Sequence, residues 1–211
     1  MERRYATDFV EDPAPSRTIE EVVREGYTQD LVIFFPRCFV PETCPGPRYR
    51  GYFLCSDQPD ERCRLTYRQA RDVVCKLGEY TLLSRKMLAE KGLTGKILVI
   101  PGGRQIVDVC LAEGLPRAAL GVACPPDLKE GRQKLENIGV RTFLVPLTKL
   151  EYDLKNVHKV TVQSCYENVV KYGTGRYLKI LGQAVDYVID AKARRLSVED
   201  YRKEKQAVTR A

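Results

Sequence analysis

Histidine is nearly missing from this 211-residue chain, in which His158 is the only one. That scarcity argues against imidazole acid–base chemistry and against zinc sites that need several histidines. His158 itself lies in the polar connector Lys155-Asn156-Val157-His158-Lys159 and reads as an exposed bystander. Long apolar runs are missing too. No stretch approaches the ~18 uncharged apolar residues of a membrane span, so no membrane partner is expected. The opening Met1-Glu2-Arg3-Arg4-Tyr5 has no apolar core of the kind a secretory signal carries, and a cytoplasmic location is the expectation. The chain also contains no Cys-x-x-Cys knuckle, no Gly-x-Gly-x-x-Gly and no Walker loop. The sharpest sequence signals for zinc and for nucleotide are therefore absent.

What is present is a globular composition, 44% hydrophobic and 30% charged. The length suits one α/β core with a small annex. Net charge is +7, with basic residues thickening toward the end at Lys192, Arg194, Arg195, Arg202, Lys203, Lys205 and Arg210. They alternate with Glu199, Asp200 and Glu204, the pattern of a solvated helix face, and this is preferred over a nucleic-acid contact.

Four short apolar runs set the architecture. Residues 31–35, 96–100, 118–122 and 141–145 each end in a turn rich in proline, glycine or cysteine. Continuous apolar runs separated by helical stretches read as parallel strands buried on both faces. The predicted fold is a three-layer α/β domain over 31–150, with a mostly parallel four-stranded sheet flanked by helices. A leader with a short helix (1–30) precedes it, a Cys/Pro-rich loop (36–64) interrupts it, and a helical C-terminal extension (151–211) packs on the same domain. Thr18-Ile19-Glu20-Glu21 has the spacing of a capping box. A helix is expected from about Thr66 to Lys91 with a possible interruption at Gly78, and others over 104–113 and from Pro125 to Gly139. The last segment is expected as two helices, 160–171 and 176–194, separated at Tyr172-Gly173-Thr174-Gly175. Leu181, Ala184, Val185 and Val188 form the core stripe of the second, and Ser197 caps a final exposed helix.

In such sheets ligands bind beyond the carboxyl ends of the strands, where all four turns lie. Cys124 is the leading chemical candidate, because it follows a buried strand and precedes a helix marked by Pro125-Pro126-Asp127. Orphan N–H groups and the positive end of the helix dipole favour a thiolate there, as a metal ligand, nucleophile or redox thiol. Cys38 occupies the corresponding turn after the first run, and Cys44, Cys55 and Cys63 lie in the loop that follows. Four thiolates from this set would hold an iron–sulfur cluster or zinc. Their spacing gives no support, since five, ten and seven residues separate successive members from Cys38 to Cys63. Cys75, Cys110 and Cys165 fall among apolar neighbours and read as packing residues. In Pro101-Gly102-Gly103-Arg104 a tight turn is the first reading. An anion cradle, with Gly102 and Gly103 admitting close backbone approach and Arg104 binding phosphate or carboxylate, is the second.

Several of these blocks resemble a known family. Phe35-Pro36-Arg37-Cys38, Cys44-Pro45, Val99-Ile100-Pro101-Gly102-Gly103 and, above all, Leu120-Gly121-Val122-Ala123-Cys124-Pro125-Pro126-Asp127-Leu128-Lys129-Glu130-Gly131 are similar to domain-of-unknown-function family 116. This is a group of small prokaryotic proteins, largely from archaea and anaerobes. The resemblance spans about residues 31–148. It implies a metal or iron–sulfur site on Cys38, Cys44 and Cys124, though no assigned reaction. The family pattern has a tight cysteine group where this chain has only Cys55 and Cys63, and a further cysteine where it reads Thr148-Lys149-Leu150-Glu151.

Three functions are carried forward. The first is a thiolate metal site built from Cys38, Cys44 and Cys124 with Cys55 or Cys63, binding an iron–sulfur cluster or zinc in a redox or metal-handling role, with a redox or protein partner. The second is an enzyme with Cys124 as nucleophile and Gly102, Gly103 and Arg104 holding an anionic small molecule. The third is a non-catalytic interaction module that binds through its basic C-terminal helices.

Overall fold

The computed structural model describes residues 17–36, 48–49, 52–54, 76–100, 102–147 and 162–210, and the side chains of 17–36, 77–100, 102–147 and 174–207. The four apolar runs are strands, as predicted: β1 (Gln29–Pro36), β4 (Gly95–Ile100), β5 (Pro116–Ala123) and β6 (Arg141–Pro146). Two short strands inside the stretch expected as a loop, β2 (Arg48–Tyr49) and β3 (Tyr52–Leu54), extend the sheet at one edge. The order is β2-β3-β4-β1-β5-β6. β4, β1, β5 and β6 are mutually parallel, whereas β3 runs antiparallel to β4 with Phe53 opposite Val99.

Helices cover both faces of the parallel sheet, giving a three-layer α/β fold. α2 (Lys76–Glu90) and α5 (Val162–Ala193) lie on one face, where Leu77, Tyr80, Leu88, Tyr177, Leu181 and Val185 pack on Ile33, Phe35 and Leu120. α3 (Ile106–Glu113) and α4 (Pro125–Asn137) lie on the other, where Val109, Cys110 and Leu135 pack on Val32, Phe34 and Ala119. α1 (Ile19–Glu25) adds Val22 to this second cluster and α6 (Val198–Arg210) adds Val198. Alternate residues of β1 and β5 thus serve alternate faces, the period-two geometry of a strand.

The caps follow the sequence. Thr18 Oγ1 accepts from the Glu21 N–H while the Glu21 carboxylate accepts from the Thr18 N–H. Ser197 and Asp200 exchange the same pair of bonds at the start of α6. α4 begins with two prolines in its first turn, where a missing N–H costs nothing.

Two expected interruptions do not form. α2 passes through Gly78, and α5 is one helix of 32 residues running through Gly173 and Gly175. A glycine inside a helix costs about 1 kcal/mol relative to alanine. Tertiary contacts outweigh that cost. Thr174 donates to Glu79 of α2 at 2.6 Å, one turn from Tyr177, which is 1% exposed.

Candidate functional site

From β1 the chain reaches β4 on one side, then returns past β1 to β5 and β6 on the other. The order therefore reverses between β1 and β5, and the crevice beyond their carboxyl ends is the favoured ligand position in such a sheet. A cleft enclosing about 460 Å³ of empty space, part of it open solvent at the mouth, lies there on the α3/α4 face. Phe34, Ile100, Gly121 and Leu144 line it from the strands, with Gly103 and Asp127 at its rim.

The cleft exists because β5 presents small residues on this face. Ala119, Gly121 and Ala123 point under α4, while their neighbours Leu120 and Val122 point to the α2/α5 side. A Cβ placed on Gly121 would come within 3.2 Å of Leu128 Cδ2 and 3.8 Å of Leu144 Cδ2. The floor is therefore open only as long as residue 121 has no side chain.

Close backbone approach also shapes the rim. A Cβ on Gly103 would stand 2.9 Å from the Asp127 carbonyl oxygen and 3.2 Å from the Gly131 nitrogen. Gly103 is consequently a contact glycine, seated directly on the first turns of α4. Its N–H donates to the Asp127 carboxylate. Burial pushes that carboxyl above its ordinary range; the Gly103 bond opposes the rise and the nearby Glu130 charge adds to it.

The other polar groups at the cleft are engaged elsewhere. Arg132 Nε donates to Glu136 Oε1 at 3.0 Å, and the Thr142 hydroxyl donates to the same oxygen at 2.7 Å. Lys205 of α6 lies 3.4 Å from the second Glu136 oxygen. Burial pushes Glu136 upward, but the Thr142 bond and the Arg132 and Lys205 charges outweigh it and hold the group below its ordinary range.

The predicted residues fall as follows. Gly102 and Gly103 line the cleft, and Arg104 is exposed on the single 3-10 turn (Gly103–Gln105) beside it, its carbonyl accepting from Lys134. Cys124 is the residue before the first turn of α4, as expected, with φ −66° and ψ 150°. Strand alternation turns its side chain away from the cleft, and it packs half-buried against the α2/α5 cluster. Cys124 and the Gly102-Gly103 turn therefore flank opposite faces of the sheet edge. Cys110 is 2% exposed within α3, and burial pushes its thiol up to about 12. Cys38, Cys44, Cys55, Cys63 and Cys75 lie outside the described residues, as does His158. Among the described residues, no group of three or more metal-ligating side chains occurs.

Sequence reasoning missed Asp127 as a functional group, because it served only as a marker of the helix start. It also missed the alternation of small and large residues from Ala119 to Ala123, the readable sign of a cleft on one face.

No family model, curated protein or solved structure matches this chain. Among the described residues, no helix is long and apolar enough to cross a membrane.

Proposed function

We propose that this protein binds a small, largely apolar molecule in the cleft beyond β1 and β5, with Asp127 as its main polar contact. The observation that carries this reading is the coincidence of the small side chains at Ala119, Gly121 and Ala123 of β5 with the topological switch point. Packed interiors leave few voids larger than a water molecule. An apolar cleft with one half-buried carboxyl at its rim fits the usual composition of a small-molecule site.

The test is an NMR fragment titration of ¹⁵N-labelled protein. Ligands of the cleft are expected to shift the amides of Gly102, Gly103, Gly121 and Leu144, and Gly121→Val, which builds a side chain into the floor, is expected to abolish those shifts. Fragments that bind the variant as well as the wild type would refute the reading.

A second reading keeps the thiolate centre, an iron–sulfur cluster or zinc on Cys38, Cys44 and Cys124 with Cys55 or Cys63. What favours it is the direct pairing of β1 with β5, Phe34 opposite Gly121, so that the strand ends preceding Cys38 and Cys124 in sequence lie side by side at one edge. Thiolates are soft donors suited to either metal. Bound there, the group would supply electron transfer if iron–sulfur, or cross-linking of the loop if zinc. Its resemblance to family 116 points the same way. Protein prepared without oxygen should then carry iron and sulfide, or zinc, and Cys124→Ala should lose it. Metal-free wild-type protein that remains folded would end this reading.

A further inference from the structure

The chemistry at the cleft rim narrows the class of ligand. Resting on the small-molecule reading above, we infer that the cleft takes a ligand whose apolar body carries a hydrogen-bond donor of positive charge, such as a protonated amine or an amidinium, and that it rejects anions.

The reasoning begins with the feature that suggested an anion. A glycine-rich turn and a helix N-terminus meet here, and both offer backbone N–H groups. The protein fills that place with its own carboxylate. Asp127 stands in the first turn of α4 and takes the Gly103 N–H. The positive end of the α4 dipole is thereby countered by a fixed negative group. Glu130, one turn further, adds its own negative charge to the Asp127 site. An arriving phosphate or carboxylate would meet an acceptor where it needs a donor.

The cations nearby do not reverse this. Arg132 is paired with Glu136, and Lys134 with Glu130 at 3.0 Å. The Thr142 hydroxyl donates to Glu136. Among the described residues, no ion pair reaches Asp127, whose half-buried carboxylate lines the cleft. A ligand cation would supply one, in surroundings less polar than water where the pair is stronger than in bulk. Phe34 on the same wall offers an aromatic surface to the ligand's apolar body.

Three probes with the same ring and similar size decide the matter: benzylamine, benzyl alcohol and benzoate, titrated at pH 7.5 into ¹⁵N-labelled protein and read at the Gly103, Gly121 and Leu144 amides. Benzylamine is expected to bind about tenfold or more tightly than benzoate, a difference of ~1.4 kcal/mol, with benzyl alcohol between them. In Asp127→Asn, which keeps an acceptor for the Gly103 N–H, the preference should fall to within about twofold. Benzoate binding as tightly as benzylamine, or a preference that survives in Asp127→Asn, overturns the inference while leaving the cleft a binding site. Silence of all three probes at these amides removes the cleft reading as well. The wild-type ratio decides the question even if the variant fails to fold.

Discussion

The two faces of the same sheet are built to opposite ends. On the α2/α5 face, Phe35, Tyr80 and Tyr177 form an aromatic cluster, Tyr80 and Tyr177 stacked with centroids 4.3 Å apart and planes nearly parallel. Ser84 gives its proton to the Tyr80 carbonyl at 2.6 Å, so the Tyr177 hydroxyl must donate to Ser84, 2.5 Å away. The Ser84 and Tyr177 hydroxyls are both engaged, and the face is closed. On the α3/α4 face β5 carries only Ala119, Gly121 and Ala123, and a cleft lies there between the sheet and α4. Both faces hold a buried core, but among the described residues only the α3/α4 side leaves a cleft at the carboxyl end of β5. Binding surfaces drawn from the less tightly packed side of a molecule are the general expectation.

The largest effects should come from breaking the closed face. Tyr177→Ala removes a fully buried ring and leaves Ser84 with one fewer partner, and a loss of about 3–5 kcal/mol is expected from denaturant midpoints. Tyr177→Phe should cost about 1 kcal/mol, the share of the hydrogen bond alone. A matched pair of truncations then sharpens the contrast between the faces. Leu120→Ala on the closed face should cost about 2–5 kcal/mol, whereas Leu144→Ala beside the cleft should cost less than half as much, since Leu144 already borders open space. Equal losses would mean that the cleft face is packed as firmly as the other. Gly121→Val should cost about 1–3 kcal/mol through its contact with Leu128 and should block ligand entry.

Two carboxyls of α4 predict opposite pH behaviour. Asp127 is raised in the folded state, so the native protein holds its proton more tightly than the unfolded chain, and stability falls as pH rises from the ordinary aspartate range through the folded value. Asp127→Asn should therefore be more stable than wild type at pH 7, the advantage shrinking as pH falls through the raised folded value and gone below about 4. Glu136 is lowered, so it contributes stability at and above neutral pH that is lost as pH falls through its folded value. Glu136→Gln should be less stable than wild type at pH 7 and converge with it in acid. Melting temperatures across pH 3–8 check both signs.

The smallest effect lies at the end of α5. Arg195 has φ +53°, a left-handed conformation costly for a residue with a side chain, while its neighbours make the bonds of a helix stop, Leu196 N–H to the Ala191 carbonyl at 3.0 Å. Arg195→Gly should gain about 0.5–1 kcal/mol.

Much of the fold was legible in the sequence because β1, β5 and the carboxyl half of β4 are buried on both faces and read as unbroken apolar runs, and β6, only partly buried, still keeps the apolar run Phe143-Leu144-Val145. The caps at Thr18 and Ser197 were legible as local chemistry. Continuity of α5 through Gly173-Thr174-Gly175 was not, because Thr174 is anchored by Glu79, nearly a hundred residues away in sequence. The strand-end turns pointed to the edge of the sheet at which the cleft lies, but not to the residues that line it. Cys124 drew attention by residue type, yet strand alternation decides which face a side chain serves, and that alternation placed Ala123 toward the cleft and Cys124 away from it. Asp127 carried no motif. Its chemistry arises only when the turn after β4 is folded against α4.

A crystal of the wild-type protein soaked in benzylamine puts the cleft to its most direct trial. The expected result is density for the ring over Gly121 and against the Phe34 side chain, with the ammonium within hydrogen-bond distance of an Asp127 carboxylate oxygen. An empty cleft at saturating benzylamine, or a side chain collapsed into it, would contradict the claim that this face of the sheet is built to bind.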